Sequence, residues 1–310
     1  MINIISHFIL FLIIIFYNGN FYLKAFTQNK LNLNFFEVSF FGLIFTSLIS
    51  QVINFFFALS DNILYFNLIL ILILIIFSKN IKLIENLKRI NPINILIILL
   101  VILNIYGSKF SDDLNHYHYS YISNTDNTNY IVGLVNLHHA FGNSSLWLIA
   151  SSYLNLDYSR LQDIHVLNGL VFYLFLGFFF NEIKNNINNK QIDIFLPISF
   201  FIIIFVLLKY TRFKEFGIDR PSFLIMYFFI LFYLKNFFMN DYKKEIDEKI
   251  VLMTYVAMVL FFIKISFFFI GIVPIYYIFK LKKFSILKSF YFFPIYFFII
   301  SYFFKNILIS

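Results

Sequence analysis

The chain has 310 residues, of which 61% are hydrophobic and only 13% are charged, and its mean hydropathy is +0.82. A soluble domain carries roughly 25% charged residues, so this composition excludes an ordinary water-soluble globular protein. Cysteine is absent, which excludes disulfides and thiolate chemistry. The net charge of +8 would indicate nucleic acid in a soluble protein. Here most cations fall in short loops between apolar runs, which indicates membrane lipids as partners and no nucleic acid.

Apolar runs recur along the whole chain, and runs of roughly 17 residues or more can cross a hydrocarbon core of about 30 Å as helices. A helix also satisfies its own backbone hydrogen bonds, as lipid requires. The sequence therefore predicts an all-α, polytopic transmembrane helix bundle of about ten spans, forming a single integral membrane domain over residues 1–310. The first run lacks a cleavage site and is expected to be a retained span. The predicted spans are 2–17, 40–59, 62–77, 93–106, 163–180, 192–208, 221–238, 250–263, 265–279 and 289–307.

The loops between these runs predict an orientation. Lysine and arginine outnumber acids in residues 78–92 and 280–288, and the mixed loop 236–249 holds three lysines. The positive-inside rule places these three loops in the cytoplasm. Alternating the spans from there puts residues 107–131 and 209–220 together on the outer face of what is expected to be a bacterial inner membrane.

The longest polar stretch, Ser108–Asn129, contains the acids Asp112 and Asp113 and the histidines His116 and His118. Paired carboxylates at a membrane surface can act as a general base, bind a divalent cation or simply be solvated. A helical stretch would bring either acid onto one face with His116, whereas an extended one would align Asp112 with both histidines. The spacing matches no firm metal template.

Residues 131–154 are too polar for a lipid-exposed span and suit a helix lying in the membrane interface. Trp147 is typical of that depth. The whole extracytoplasmic loop, with this interfacial helix, is expected to cover residues 107–160. His138 and His139 either contact a substrate or rest on lipid headgroups.

A second polar loop, residues 209–220, concentrates cations such as Lys214 and Arg220 beside the acids Glu215 and Asp219. On the outer face these cations run against the positive-inside trend, so an anionic ligand such as a lipid phosphate is the natural compensation. The alternative is a reversed orientation in which this is an ordinary cytoplasmic loop.

Lys264 interrupts the last long apolar stretch, residues 250–279. A lysine at mid-bilayer costs roughly 2.5–3.5 kcal/mol on insertion scales. Two short spans with Lys264 at their outer turn avoid that cost, and they would let it join the cations of the second loop or snorkel to the surface.

Four stretches, taken in order, resemble the GT-C class of polytopic glycosyltransferases, specifically the bacterial multi-pass membrane families with GT-C-like folds. They lie between positions 36 and 222. Their sequences are FEVSFFGLIFTSLISQVINFFFALS (36–60), SDDLNHYHYSYI (111–122), GLVNLHHAFGNSSLWL (133–148) and FKEFGIDRPS (213–222). Members of that class continue past the last span, whereas this chain ends there, which indicates a C-terminally truncated product.

The resemblance implies transfer of a sugar from a polyprenyl-phosphate donor to a glycan or lipid acceptor, in cell-envelope glycan assembly at the outer face. It places catalysis on Asp112 or Asp113. Either Glu215 or Asp219 is expected to assist. Some members use a divalent metal, Mg²⁺ or Mn²⁺. Substrate contacts are expected from His116, His118, His138, His139, Lys214, Asp219, Arg220 and Lys264. The competing interpretations are a transporter or flippase, which would carry ionisable groups at the midplane, and a non-catalytic membrane protein fragment.

Overall fold

The computed structural model describes residues 2–26, 31, 33–77, 92–109, 113–136, 141, 145–156, 164–188, 194–237 and 245–309. Over these ranges the chain is helical and forms no strand, so the predicted all-α class is confirmed for them. The α-helices are α1 (Ile2–Phe26), α2 (Phe35–Asn54), α3 (Asp61–Phe77), α4 (Pro92–Tyr106), α5 (Tyr119–Asn127), α6 (Leu146–Tyr153), α7 (His165–Asn188), α8 (Phe195–Leu208), α9 (Asp219–Phe237), α10 (Ile246–Ile263), α11 (Ile272–Lys280) and α12 (Phe293–Ile309).

Each predicted apolar run overlaps a helix, but the helices differ in their ability to cross a membrane. By length and composition, three within the described residues are long and apolar enough: Asn3–Ala25 within α1, α2 and α7. Helices such as α3, α4 and α8 are apolar but shorter. Their outward faces carry large exposed side chains, for example Phe201 and Leu208. This pattern is typical of a membrane protein, while the number of spans stays a prediction.

The two central helices, α2 and α7, are buried over most of their lengths. Their side chains are apolar on nearly every face, which is the pattern of a helix surrounded by other helices. Stacked rings join α2 to its neighbours, as where Phe40 lies 3.8 Å from Phe228 of α9 between ring centroids. The bundle therefore has an aromatic core around α2, α7 and α9.

Helices α1 and α2 approach each other at two glycines. A Cβ atom on Gly42 would lie 1.8 Å from the carbonyl oxygen of Ile15, and one on Gly19 would lie 2.1 Å from that of Val38. Small residues of this kind let helix backbones come into direct contact, which is a common means of helix association in membranes.

Substituting Gly42→Ala is expected to lower the free energy of unfolding by about 1–3 kcal/mol, because the added methyl group has no space unless the helices separate. Unfolding in detergent, followed by circular dichroism, measures the change. Gly271→Ala is the matched control, since a Cβ there has no atom within 4 Å. Equal stability of the two variants would contradict close α1–α2 packing.

One end of the bundle is closed by residues 113–136 and 145–156, which we call the cap segment. The backbone N–H of Tyr130 donates to the carbonyl of Asn54 at 3.1 Å, and that of Gly133 donates to the carbonyl of Leu308 at 2.8 Å. The C-terminal ends of α2 and α12 thus bind the cap segment through otherwise unsatisfied carbonyls.

The interfacial helix expected in the 107–160 loop has no exposed face over residues 146–153. All eight residues of α6 are buried inside the protein, Trp147 included. The Trp147 indole N–H donates to Asn168 at 2.9 Å, and the Ser145 hydroxyl donates to the carbonyl of Ile263 at 2.9 Å. Among the described residues of this segment, Ser145 and Trp147 are therefore satisfied by partners within the bundle rather than by lipid headgroups.

Candidate functional site

The two polar loops meet at the capped end of the bundle. The backbone N–H of Lys109, just beyond α4, donates to the carbonyl of Lys214 at 2.8 Å, and Lys109 pairs with Glu215 in a short parallel bridge. Residues far apart in sequence are thereby held together through main-chain bonds that do not depend on side-chain type.

A cavity of about 320 Å³, which we call the polar cavity, lies between these loops. Six of the residues predicted from sequence line it: Asp113, His118, Glu215, Asp219, Arg220 and Lys264. Tyr117 and Phe216 also line it and were not predicted. Phe216 follows the predicted Glu215 in the sequence, and Tyr117 lies between the predicted His116 and His118. This alternation of tyrosine and histidine is the sequence signal from which Tyr117 could have been predicted.

The other predicted residues do not line this cavity or cannot be placed. Lys214 is half-buried beside Gly107, where its Nζ would be 3.2 Å from an added Cβ. His116 is exposed and is not among the described lining residues. Asp112, His138 and His139 lie outside the described residues.

Asp113 and His118 are positioned by one turn of π-helix, Leu114–His118. The stretch is thus helical, as one of the two sequence alternatives required. A π-turn inserts a residue relative to an α-helix and is frequent at functional sites. Leu114 is fully buried and anchors the turn, while the exposed Asp113 borders the cavity opening.

The imidazole of His118 is the most unusual polar group on the cavity wall. His118 is only 2% exposed, and neither ring nitrogen has a hydrogen-bond partner in the described part of the chain. Burial lowers its pKa to about 4, although Asp113 and Asp219 act in the opposite direction. The ring is therefore neutral at physiological pH and offers one donor and one acceptor to a ligand.

The pH dependence of stability tests this assignment. The pKa of His118 is about 4 when folded, below the ordinary value of 6.5, so between these values the unfolded chain binds a proton that the folded chain does not. Wild-type stability should fall relative to His118→Gln by up to about 3 kcal/mol as pH drops from 6.5 to 4. Parallel pH profiles of the two proteins would contradict a buried neutral imidazole.

Two cations, Arg220 and Lys264, also line the polar cavity. Lys264 has extended backbone at the break between α10 and a 3-10 helix, Ile265–Gly271, so the apolar stretch is divided there as predicted. Its Nζ lies 2.6 Å from the Asp219 carboxylate. Arg220 is half-buried and forms no ion pair with described residues. Burial, with Asp113 and Asp219, raises the pKa of Tyr117, so its hydroxyl remains a donor.

A second cavity of about 270 Å³, which we call the apolar cavity, adjoins the first. Ile218 and Lys264 border both. Its other walls include Phe262, Ile263 and Tyr302. A charged compartment and a hydrocarbon-lined one therefore share a wall, an arrangement that suits a ligand with a polar head and an apolar tail.

An ionic cluster that was not predicted lies at the other end of the bundle. Lys235 of α9 is 2.7 Å from Glu37 of α2 and 2.9 Å from Glu182 of α7. Asn34 completes it by donating to Glu182 at 3.0 Å and by forming a capping box with Glu37. The Asn-x-x-Glu spacing is a signal that the sequence contains, but the predicted spans 2–17 and 40–59 leave Glu37 in the loop between them.

Within the part of the chain that the structure describes, no group of three His, Cys, Asp or Glu side chains could hold a metal ion. The Mg²⁺ or Mn²⁺ that the resemblance implies therefore has no such group of ligands among these residues.

Comparison with protein families identifies one match. The family described as Domain of unknown function (DUF8201) matches residues 1–310. No curated protein and no solved structure matches the chain. The chain belongs to the DUF8201 family.

Proposed function

We propose that this DUF8201 protein is a membrane glycosyltransferase that transfers a sugar from a polyprenyl-phosphate donor to a glycan or lipid acceptor. The observation that carries the proposal is the composition of the polar cavity. Carboxylates of Asp113 and Glu215, the neutral His118 and the cations Arg220 and Lys264 line one space. Transfer of a sugar from a phosphate needs these two kinds of group, a proton acceptor and a charge-stabilising cation, on either side of the reacting carbon.

In the proposed reaction the acceptor hydroxyl oxygen attacks the anomeric carbon of the donor sugar. The bond from that carbon to the phosphate oxygen breaks, and its electron pair leaves with the polyprenyl phosphate. The acceptor proton passes to the carboxylate of Asp113, and configuration inverts. Asp113 is preferred as base because it has no ion-pair partner among described residues, whereas Asp219 is bound to Lys264.

The leaving group develops charge on the phosphate as the glycosidic bond breaks. Arg220 and Lys264 lie where they can offset that charge, and such electrostatic stabilisation is usually the largest contribution to catalysis. The apolar cavity beside Lys264 would receive the first part of the prenyl chain. The neutral His118 would hydrogen-bond a sugar hydroxyl without repelling the cations.

The proposal includes the membrane arrangement. About ten helices would span a bacterial inner membrane, with the polar cavity at the outer face. Supporting this, four lysines lie at the end of α10 opposite Lys264. Lys280 ends α11, and Lys282, Lys283 and Lys288 lie between α11 and α12.

A transporter would instead carry ionisable groups near the midplane. The buried Glu37 lies in the first turn of α2 and Lys235 lies in the last turn of α9. The ionic cluster is therefore at the helix ends, which favours a structural role over a transport pathway.

Two measurements test the proposed function. The absence of cysteine permits single labels, so Asn129→Cys is expected to react with an impermeant maleimide in intact cells and Lys282→Cys is not. In proteoliposomes, a panel of polyprenyl-phosphate sugars with cell-envelope glycan acceptors should give a glycosylated product. Reversed labelling contradicts the outer-face location, and no transfer from any donor contradicts the reaction.

A further inference from the structure

The ion pair between Lys264 and Asp219 lies on the wall that the two cavities share. Lys264 borders both cavities, and Asp219 borders the polar one. The Lys264 Nζ is 2.6 Å from the Asp219 carboxylate, so the ammonium group of Lys264 is already ion-paired in the free protein. Any anion that is to bind Lys264 must therefore compete with Asp219.

Two further observations indicate a ligand at this wall. The nitrogens of His118 are buried and lack a partner in the described part of the chain, and the ring lines the same cavity. Arg220 borders the cavity and also has no described ion-pair partner. Two residues that line the cavity, His118 and Arg220, therefore have polar side chains without these partners in the described part of the chain.

The competition is one that a phosphate can win. The side chains of Lys264 and Asp219 are 39% and 52% exposed, and an ion pair at this exposure is weak because water screens it. A phosphate group offers several charged oxygens to Lys264 and can engage Arg220 at the same time. An uncharged alcohol has no charged oxygen for Lys264 or Arg220, so the ion pair between Lys264 and Asp219 would remain formed.

We propose that Lys264 makes the joined cavities select amphiphiles with a phosphate head, and that Asp219 weakens this binding because it competes with the phosphate for the Lys264 ammonium group. The inference rests on the donor class of the proposed function, but it does not depend on sugar transfer. When a phosphate binds, the ammonium of Lys264 moves from Asp219 to the phosphate, and Asp219 is released to water. An uncharged lipid alcohol of the same chain length binds with the pair intact and gains nothing from Lys264.

Equilibrium binding of radiolabelled farnesyl phosphate, compared with farnesol, to the protein in phosphatidylcholine nanodiscs tests this role. Asp219→Asn should tighten farnesyl phosphate binding about two- to fivefold, because the competitor is removed. Lys264→Gln should weaken it by about tenfold or more, because a charge-assisted bond is lost. The double variant should bind like Lys264→Gln, since Asp219 acts only through Lys264. Farnesol binding should not change.

The chain offers a matched control pair. Lys283 and Asp247 are 3.0 Å apart and 39% and 51% exposed, and Asp247 lies in the first turn of α10 as Asp219 does in α9. Asp247→Asn and Lys283→Gln should leave farnesyl phosphate binding unchanged.

The inference is overturned if the wild type binds no farnesyl phosphate, or if Asp219→Asn weakens or fails to tighten binding. It is also overturned if Asp247→Asn produces the same gain, or if Lys264→Gln weakens farnesol equally. The expected binding pattern without sugar transfer would refute the proposed reaction alone.

Discussion

Asp113→Asn is expected to reduce sugar transfer by about 10²–10⁴-fold, the range for loss of a general base. The amide cannot accept the acceptor proton, while its shape and its place before the π-turn are preserved. Donor binding should change little, because the proposed role of Asp113 is to accept the proton of the acceptor and not to bind the donor phosphate. Initial rates of transfer from the active polyprenyl-phosphate sugar, in proteoliposomes, measure the effect.

Two comparisons make that result specific. Asp247→Asn removes an equally accessible carboxylate at the far end of α10 and should retain the wild-type rate. Glu215→Gln should give a smaller loss if Glu215 only assists. A full rate in Asp113→Asn and also in Asp112→Asn would remove the carboxylate mechanism.

Lys235→Met is expected to lower the free energy of unfolding by about 3–5 kcal/mol, because it leaves two carboxylates buried without their cation. Glu37 is fully buried and Glu182 nearly so, and both bind the same ammonium group. Chemical unfolding in detergent measures the loss.

The triple variant Lys235→Met, Glu37→Gln, Glu182→Gln separates charge from packing. Without any buried charge, most of the stability should return. Lys24→Met, at an exposed position in the last turn of α1, should change stability by less than about 0.5 kcal/mol. If Lys235→Met is as mild as this control, the cluster does not hold α2, α7 and α9 together.

Several features could be predicted because they depend on local sequence. The positions of the apolar helices follow from runs of apolar residues, and the break at Lys264 follows from the cost of a charge within such a run. The acids of the polar cavity and Arg220 were selected because they lie in two polar loops of a chain in which only 13% of the residues are charged.

Other features depend on contacts between distant segments. Trp147 was assigned to the membrane interface from its own segment, but Asn168 of α7 satisfies its indole within the bundle. Glu37 was assigned to a loop, but Lys235 and Glu182 stabilise it in the interior. In each case the partner that decides burial lies far away in the sequence.

The sequence by itself determined that this protein is helical and of membrane type, because lipid solvation imposes long apolar helices whatever their arrangement. Only the tertiary structure decided that His118 is neutral and that Lys264 lies between a polar and an apolar cavity. It also decided that Asp219 forms an ion pair with Lys264. These properties arise from burial and from distances across the bundle. No local pattern of residues encodes them, because each depends on which helix ends meet beneath the cap segment.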